Sequence, residues 1–311
     1  MERYTVLDFE RDYPDDAACL EWLKNYRWPK GIVCENKECP HYGTVTNHYR
    51  VKSRPSYSCA FCGHHVHPTA DTIFHKSTTS LRLWFHAVYM MSSTRCGVSA
   101  KQIQRQTGVT YKTAWRMWAQ IRKLLSEDIG PLSGKVEVDE TYVGGKRRYG
   151  SRLKAAQEWR KHKETVTGHV ERGGRVRATH LPHGETKPLL KSIVREYVLP
   201  ASMIYTDELE SYAGLSAMGY QHQRINHLQR IYVEGDVHTN TIEGFFSLLK
   251  RGISGVYHSV SAKYLQRYLD EYAFRYNRRN DKAHLFKTML RRVSDVPSGP
   301  PSSGLLGTEP V

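Results

Sequence analysis

Residues 136–145 read VEVDETYVGG, and this stretch decides the fold that the chain is expected to adopt. Polar and apolar residues alternate from Lys135 to Val143, which is the period of a β-strand with one buried face. Val136 and Val138 are therefore predicted to point to one face of the strand, and Asp139 to the other. The stretch predicts a strand that carries a carboxylate on the face opposite its valines.

The segments downstream of this strand predict an α/β domain. Residues 165–172 and 175–181 flank Gly173-Gly174, a combination typical of a β-hairpin. A helix is predicted at 185–198, a short strand at 202–206, and helices from 241 to about 292 with a break at 252–255. A strand, a hairpin, a helix, a strand and further helices are the order expected of an α/β catalytic domain.

Two further carboxylates accompany Asp139. Asp207 ends the predicted strand MIYTD, and Glu243 lies in the helical stretch HTNTIEGFFSLLKRG, with 35 residues between the two acids. On that helix Asn240, Glu243 and Lys250 share one face, because the seven residues from Glu243 to Lys250 make almost two turns at about 3.6 residues per turn. A carboxylate and a cation are thus predicted to point together towards whatever the helix covers.

Three carboxylates gathered in a basic chain would repel one another unless cations lay among them. Two Mg²⁺ ions about 3.5–4 Å apart suit the hydrolysis and transfer of phosphodiesters, because one activates the attacking oxygen and the other stabilises the leaving oxygen. Lys250 would then bind a nearby phosphate. The alternative is that these acids are ordinary residues at strand ends, each paired with a surface Arg or Lys.

Four of the six cysteines form two close pairs, Cys34 with Cys39 and Cys59 with Cys62. The 19 residues between the pairs are a spacing that can bring four thiolates round one tetrahedral Zn²⁺. Because protein atoms would fill all four positions, the predicted role of the zinc is structural. The alternatives are a chance spacing or disulfides, which the expected reducing compartment disfavours, and one of the nearby histidines could replace a thiolate: His41, His64, His65 or His67.

Residues 99–125 predict a helix-turn-helix. The first helix stops at Gly108, and Thr110 can cap the second. The second helix has a predicted buried stripe of Ala114, Met117, Trp118, Ile121 and Leu125. The residues on its other face that are predicted to contact DNA bases or phosphates are Lys112, Thr113, Arg116 and Gln120. The alternative is an ordinary helical hairpin with a solvated charged face.

The chain of 311 residues carries 46 Lys and Arg against 31 Asp and Glu, a formal net charge of +15. This excess favours a polyanionic partner such as nucleic acid or a membrane surface, and eight of the basic residues fall within 146–163, which are expected to add nonspecific phosphate contacts. No apolar run approaches the ~20 residues of a membrane span, and the charged first twelve residues do not resemble a signal peptide. A secreted, membrane-spanning or fibrous protein is therefore not expected.

The predicted organisation has four parts. An N-terminal helix and zinc ribbon occupy 1–70, the helix-turn-helix 71–133, the α/β catalytic domain 134–293, and a disordered tail 294–311. Composition supports the later boundaries, because residues 126–134 read SEDIGPLSG, which is typical of a linker, and the tail is rich in Pro, Ser and Gly.

Five features follow one another along the chain: the zinc ribbon, the helix-turn-helix, VDETYVGGK, YTD and HTNTIEGFFSLLKRG. A chain with these features in this order resembles the bacterial insertion-sequence transposases of the DDE class that begin with a zinc ribbon. The resemblance extends from about residue 21 to residue 292. It implies an RNase H-like mixed-sheet fold and Mg²⁺-dependent cleavage and joining of DNA strands. It also implies a homo-oligomer assembled on terminal inverted repeats and target DNA, in the bacterial cytoplasm at the nucleoid.

The motifs shared with this family imply that the catalytic triad is Asp139, Asp207 and Glu243, followed by Lys250. Some members of the family use an asparagine as the third residue, so Asn240 competes with Glu243 for that place. Glu243 is preferred because it has the charge that a metal needs and the spacing from Asp207 that is typical of the class.

Two other functions remain open. A DNA-binding regulator with a zinc ribbon and a helix-turn-helix would have lost catalysis, and the intact acidic set argues against it. A structure-specific nuclease would cut DNA without joining it, and only a joining assay separates that activity from transposition.

Overall fold

The computed structural model describes residues 4–144, 163–182, 184, 186–207, 212–224 and 238–294. The chain divides into two compact units. Unit 1 contains Met1–Ser93, Ala100–Leu124 and Lys282–Val311, and unit 2 contains Thr94–Ser99 and Leu125–Asp281. Within the described part of the chain, no helix is both long enough and apolar enough to span a lipid bilayer.

In chain order the elements are α1 (Val6–Asp12), α2 (Asp16–Arg27), β1 (His48–Val51), β2 (Ser56–Cys59), β3 (His65–Val66), α3 (Leu81–Ser93), α4 (Ala100–Thr107), α5 (Tyr111–Lys123), β4 (Lys135–Val143), β5 (Glu164–Glu171), β6 (Val176–Leu181), α6 (Lys187–Tyr197), β7 (Met203–Thr206), β8 (Gln221–Arg224), α7 (Asn240–Gly252), α8 (Ala262–Asn277) and α9 (Leu285–Leu290). A π-helical turn, Ile253–Tyr257, follows α7 directly.

In unit 1, a small antiparallel sheet packs on α2. Its strand order is β1-β2-β3. Leu20 of α2, Ile32 and Tyr57 of β2 form a buried cluster. The hydroxyl of Tyr57 donates to the carboxylate of Glu21 at 2.6 Å and so ties β2 to α2. This sheet is the frame of the predicted zinc ribbon, and it is held by apolar packing as well as by any metal.

The last helix of the described chain, α9, also belongs to unit 1. Phe286 of α9 is fully buried, and its ring lies 5.2 Å from that of Tyr4 and 5.8 Å from those of Phe9 and Tyr89. Residues 134–293 are predicted from the sequence to form a single domain, whereas Lys282–Val311 fall in unit 1. The physical reason is that the apolar side of α9 is buried against this aromatic cluster.

Unit 2 is built on a mixed five-stranded sheet with the order β6-β5-β4-β7-β8. The strands β4, β5 and β6 are antiparallel, and β4, β7 and β8 are parallel to one another. The observed elements β4, the β5–β6 hairpin, α6 and β7 match those predicted, and an α/β fold is observed. The sequence indicates these elements by its local patterns. It does not predict β8, whose residues QHQR have no apolar alternation.

Helices cover both faces of this sheet. On one face, Val136, Val138 and Ile204 pack against α6 through Leu190 and Val194. On the other face, the apolar side chains of β5 and β6 pack against α7 and α8; the buried residues there include Val166, Val170, Val176, Ile242, Phe245, Phe246, Leu249, Leu265 and Leu269. The polar face of β4 therefore lies on the side of the sheet that α7 covers.

Candidate functional site

The four predicted zinc ligands converge. The Sγ atoms of Cys34, Cys39, Cys59 and Cys62 all lie within 4.8 Å of one another, and those of Cys34 and Cys62 are 3.6 Å apart. All four are free thiols, which argues against the disulfide alternative. Four sulfur atoms this close fit a tetrahedral ion with Zn–S bonds of about 2.3 Å. The donor set is therefore suited to a structural zinc, and no histidine is needed to complete it.

The backbone around the second cysteine pair favours thiolates. Burial would raise the pKa of Cys59, but hydrogen bonds from the N–H groups of Cys62 and Phe61 lower it to about 5. A hydrogen bond from the N–H group of His64 likewise lowers the pKa of Cys62. Gly63 allows this tight turn because its φ is +72°, a left-handed conformation that side chains rarely adopt. The turn thus prepares the two sulfur atoms to bind a cation.

Asp139 lies on β4, and Asp207 directly follows the neighbouring parallel strand β7. In the register of β4 and β7, Glu137 is paired with Tyr205, and each aspartate lies two residues beyond its member of that pair. Because side chains alternate along a strand, both aspartates point to the same face as Glu137. That face is the one covered by α7. Parallel pairing of distant segments therefore brings the two predicted acids to the same end of β4 and β7.

The third acid lies on the first turn of α7. Glu243 is exposed, and the hydroxyl of Thr239 donates to its carboxylate at 3.0 Å. Asn240, the competing candidate, is exposed at the first position of the helix, and Lys250 is exposed near its end. All three are thus open to solvent, as residues that bind a substrate or an ion need to be.

The pKa of Asp139 is affected by the charges of the other predicted site residues. Burial raises the pKa of Asp139 to about 7, and the charges of Asp207 and Glu243 add to the rise. A hydrogen bond from the N–H group of Glu140, at 2.8 Å, and the charge of Lys250 act in the opposite direction. Two other acids and one lysine therefore act on Asp139. Among the described residues, however, only the four cysteines form a metal-ligand group of three or more with all donor atoms within 4.8 Å.

The helices α4 and α5 are joined by a short turn that contains Gly108 with a φ of +71°. The predicted buried stripe is confirmed, because its members are at most 3% exposed: Ala114, Met117, Trp118, Ile121 and Leu125, of which the last lies just beyond the end of α5. Lys112 and Arg116 are exposed, and Thr113 and Gln120 are half-buried. DNA binding by these four residues stays a prediction.

Arg116 has a contact that the sequence analysis did not anticipate. Its Nη2 atom donates to the backbone carbonyl of His75 at 3.1 Å. Its guanidinium also lies 6.0 Å from the ring of Trp84. The basic stretch at 146–163, predicted to add phosphate contacts, lies outside the described residues except for Lys163.

The sequence analysis missed Glu137 and Arg172. Glu137 is completely buried on β4, where it contacts Arg172 and the start of α7. One signal was available: Glu137 precedes Asp139 by two residues, so both side chains must point to the same face of the strand. Nothing in the sequence indicates Arg172 as its partner.

Two families match separate parts of this chain. Residues 131–277 match the family described as the ISXO2-like transposase domain, and residues 14–65 match the transposase zinc-ribbon domain. An uncharacterized protein in transposable element ISH50 of Halobacterium salinarum is 28% identical over 279 residues, which are 85% of this chain and 92% of that protein. An uncharacterized transposase-like protein of Haemophilus influenzae is 30% identical over 105 residues, 34% of this chain and 83% of that protein.

A more distant likeness exists among solved structures. The simian T-cell lymphotropic virus intasome in complex with PP2A regulatory subunit B56 gamma contains a chain that aligns with a TM-score of 0.32. The identity is 16%, and the alignment covers 73% of this chain and 78% of that one. This likeness is too low to support an argument about the fold or the function.

Proposed function

Because the chain belongs to the insertion-sequence transposases with a zinc ribbon and an ISXO2-like domain, we propose that it cleaves DNA strands at the ends of a transposable element and joins them to target DNA. The observation that carries this proposal is geometric: Asp139 and Asp207 each lie two residues beyond a paired position of β4 and β7, on the sheet face that α7, the helix of Glu243, covers. Burial raises the pKa of Asp139 to about 7, and the charges of Asp207 and Glu243 act in the same direction, a combination that is typical of functional sites.

The residues of this site fit divalent cations. Carboxylate oxygens are the ligands that Mg²⁺ prefers, and the unfavourable charge around Asp139 is what a cation relieves. Asp139, Asp207 and Glu243 would hold two Mg²⁺ ions. When bound, such ions activate the attacking oxygen and stabilise the oxygen that leaves.

The chain's own residues bind and orient the DNA in this proposal. Lys250 binds a phosphate beside the acids as a point charge. On α5, Lys112, Thr113, Arg116 and Gln120 contact the terminal inverted repeats, and the zinc ribbon stiffens the region before them. Residues 134–293 would supply an RNase H-like catalytic domain, and the protein would act as a homo-oligomer on DNA at the nucleoid of a bacterial cytoplasm.

A cleavage and strand-transfer assay on DNA that carries the terminal repeats tests the proposal. We expect Asp207→Asn and Glu243→Gln each to abolish both reactions, because they remove a charge that holds metal, and to leave end binding nearly intact. The matched control is Glu164→Gln, which changes a carboxylate of β5 that pairs with His180 at 2.7 Å.

Three outcomes decide the assignment. Loss of activity in both site variants, with the control active, supports it. Activity near that of the wild type in both site variants contradicts it. Cleavage without any joined product would make the protein a nuclease and not a transposase.

A further inference from the structure

Glu137 is a buried acid on the face of the sheet that carries the candidate site. Its side chain has no exposed surface, although a charged side chain is seldom buried unless it is paired. Along β4 it lies one strand repeat before Asp139, and across the parallel ladder it is paired with Tyr205, which precedes Asp207 by the same step. Glu137 therefore lies on the same face of β4 as Asp139, one strand repeat before it.

The carboxylate of Glu137 binds the start of α7. Its Oε2 atom accepts hydrogen bonds from the N–H groups of Thr241 at 2.8 Å and of Ile242 at 3.0 Å, and its Oε1 atom accepts one from the Thr241 hydroxyl at 2.9 Å. The first N–H groups of a helix have no partner within the helix, and an anion near them is favourable. Thr239, at the N-cap position, makes no side-chain capping bond. Glu137 thus caps α7 from a different element of the fold.

Arg172 connects this carboxylate to the remaining segments. Its Nε atom donates to Oε1 of Glu137 at 2.7 Å, and its Nη2 atom donates to the carbonyl of His238, just before α7, at 2.7 Å. Its guanidinium lies 4.1 Å from the ring of Tyr205 on β7. Nδ1 of His238 lies 3.2 Å from Oε1 of Glu137, although not in hydrogen-bond geometry. One ion pair therefore joins the three segments that carry Asp139, Asp207 and Glu243.

We propose that Glu137 is a positioning residue that holds the first turn of α7, and with it Glu243, at a fixed place relative to Asp139, with Arg172 as its counter-ion. This inference rests on the proposed function, because only then does the place of Glu243 affect a reaction. A buried ion pair is often no more stabilising than apolar residues of the same volume. What this pair supplies is directional bonding to two backbone N–H groups, which an apolar residue cannot provide.

The chain offers a closely matched control for this role. Glu271 of α8 is also fully buried, and it pairs with Arg275 at 2.8 Å, as Glu137 pairs with Arg172. The two arginines are 12% and 14% exposed, respectively. Both glutamates are therefore buried acids with an arginine partner. Glu271, however, bonds to Arg275 within α8 and to Tyr257 in the π-helical turn after α7, which is at the opposite end of α7 from the first turn that Glu137 contacts.

The experiment compares Glu137→Gln with Glu271→Gln in the full-length protein, by the rate of end cleavage and by backbone hydrogen exchange in the first turn of α7. We expect Glu137→Gln to lower kcat by about 10- to 100-fold, the usual effect of losing a residue that orients metal-binding groups. The KM for DNA should change much less than kcat, because of the proposed DNA contacts only Lys250 lies on α7, and it lies near the other end of that helix. Exchange at residues 240–243 should become faster. Glu271→Gln should keep kcat and the protection of α7.

A second pair of variants covers the case in which Glu137→Gln does not fold. Thr241→Val removes only the hydroxyl bond to Glu137, and Thr241→Ser keeps it. We expect Thr241→Val to lose less kcat than Glu137→Gln does, and its first turn of α7 to exchange faster than that of the wild type. Thr241→Ser should restore both the kcat and the exchange rate of the wild type.

Several results would overturn the inference. These are wild-type kcat and exchange in Glu137→Gln, an equal loss of kcat in Glu271→Gln, and equal behaviour of the two Thr241 variants. A wild-type protein that does not cut DNA would instead overturn the proposed function. The exchange measurement would then decide by itself whether Glu137 holds the first turn of α7.

Discussion

Asp139 of β4 lies directly opposite Gly168 of β5 in the antiparallel ladder. The space that a side chain would fill at residue 168 is occupied by α7. A Cβ atom there would lie 2.7 Å from Cδ1 of Ile242 and 2.7 Å from Cζ of Phe246. Glu243 follows Ile242 in the chain, so this close contact also limits the distance between Glu243 and the sheet. The helix can approach this part of the sheet so closely because residue 168 is a glycine.

Gly168→Ala is therefore expected to force α7 away from the sheet. Both neighbouring side chains are buried, so the extra methyl group should lower the free energy of unfolding by about 1–3 kcal/mol, the usual effect of overpacking. Cleavage activity should fall as well, because Glu243 moves with the helix. Denaturant unfolding and the cleavage assay measure the two effects.

Gly244→Ala is the control, because it lies on the same helix and a Cβ atom there meets nothing within 4 Å. It should raise the free energy of unfolding by roughly 0.5–1 kcal/mol, since alanine is the better helix former. Equal effects of the two substitutions would contradict the role given to Gly168.

Cys59→Ser is expected to release the zinc. The metal supplies folding free energy to a small module, so the region 30–70 should lose protection from proteolysis at the same time. Metal analysis of the purified protein measures the loss. Cys96→Ser is the control, because Cys96 is exposed and lies outside the four-sulfur group, and it should keep a full equivalent of zinc. Unchanged zinc in Cys59→Ser would refute the ligand assignment.

Arg116→Ala and Lys112→Ala are expected to weaken DNA binding in different ways. If Arg116 contacts bases, its loss should affect terminal-repeat DNA more than random DNA. If Lys112 contacts a phosphate, its loss should weaken both equally and flatten the dependence of log K on log salt. Lys287→Ala, an exposed residue of α9, controls for the loss of one charge. Equal losses on both DNAs for Arg116→Ala would remove Arg116 from the residues that determine specificity.

Asn240→Ala is expected to slow cleavage without abolishing it, whereas Glu243→Gln should abolish it. The reason is that a neutral amide holds a divalent cation more weakly than a carboxylate does. Single-turnover cleavage at saturating Mg²⁺ measures both rates. The reverse order, with Asn240→Ala inactive and Glu243→Gln active, would make Asn240 the third residue of the site.

Asp270 is expected to make stability depend on pH. Burial raises the pKa of Asp270 to about 6, against a hydrogen bond from Gln266 and the charge of Arg267, while an aspartate in an unfolded chain titrates near 3.9. The folded protein therefore keeps a proton that the unfolded chain has already lost, so the free energy of unfolding should fall as the pH rises from about 4 to about 6.

Asp270→Asn should remove this fall, which we expect to be about 1–3 kcal/mol. Denaturant unfolding of both proteins at several pH values measures it, with the exposed Asp281→Asn as control. Parallel pH profiles for the wild type and Asp270→Asn would contradict the prediction.

Local patterns were sufficient for much of the molecule. The alternation in VEVDETYVGG predicted β4, the Gly173-Gly174 pair predicted the β5–β6 hairpin, and the spacing of Ala114, Met117 and Trp118 predicted the buried side of α5. The two cysteine pairs likewise predicted a four-sulfur cluster. Each of these features depends on residues close together in the chain, where the period of a strand, a helix or a turn limits what can form.

Only the tertiary structure decided which distant segments meet. The parallel pairing of β4 with β7 brings Asp139 beside Asp207, and no local pattern specifies which strand is the neighbour. The bonds from Glu137 to Arg172 and to the start of α7 join three separate segments. The packing of α9 into unit 1 depends in the same way on an aromatic cluster that the folded chain assembles. Local periodicity is a short-range property, whereas the choice of partner is set by which surfaces exclude water and satisfy buried charges together.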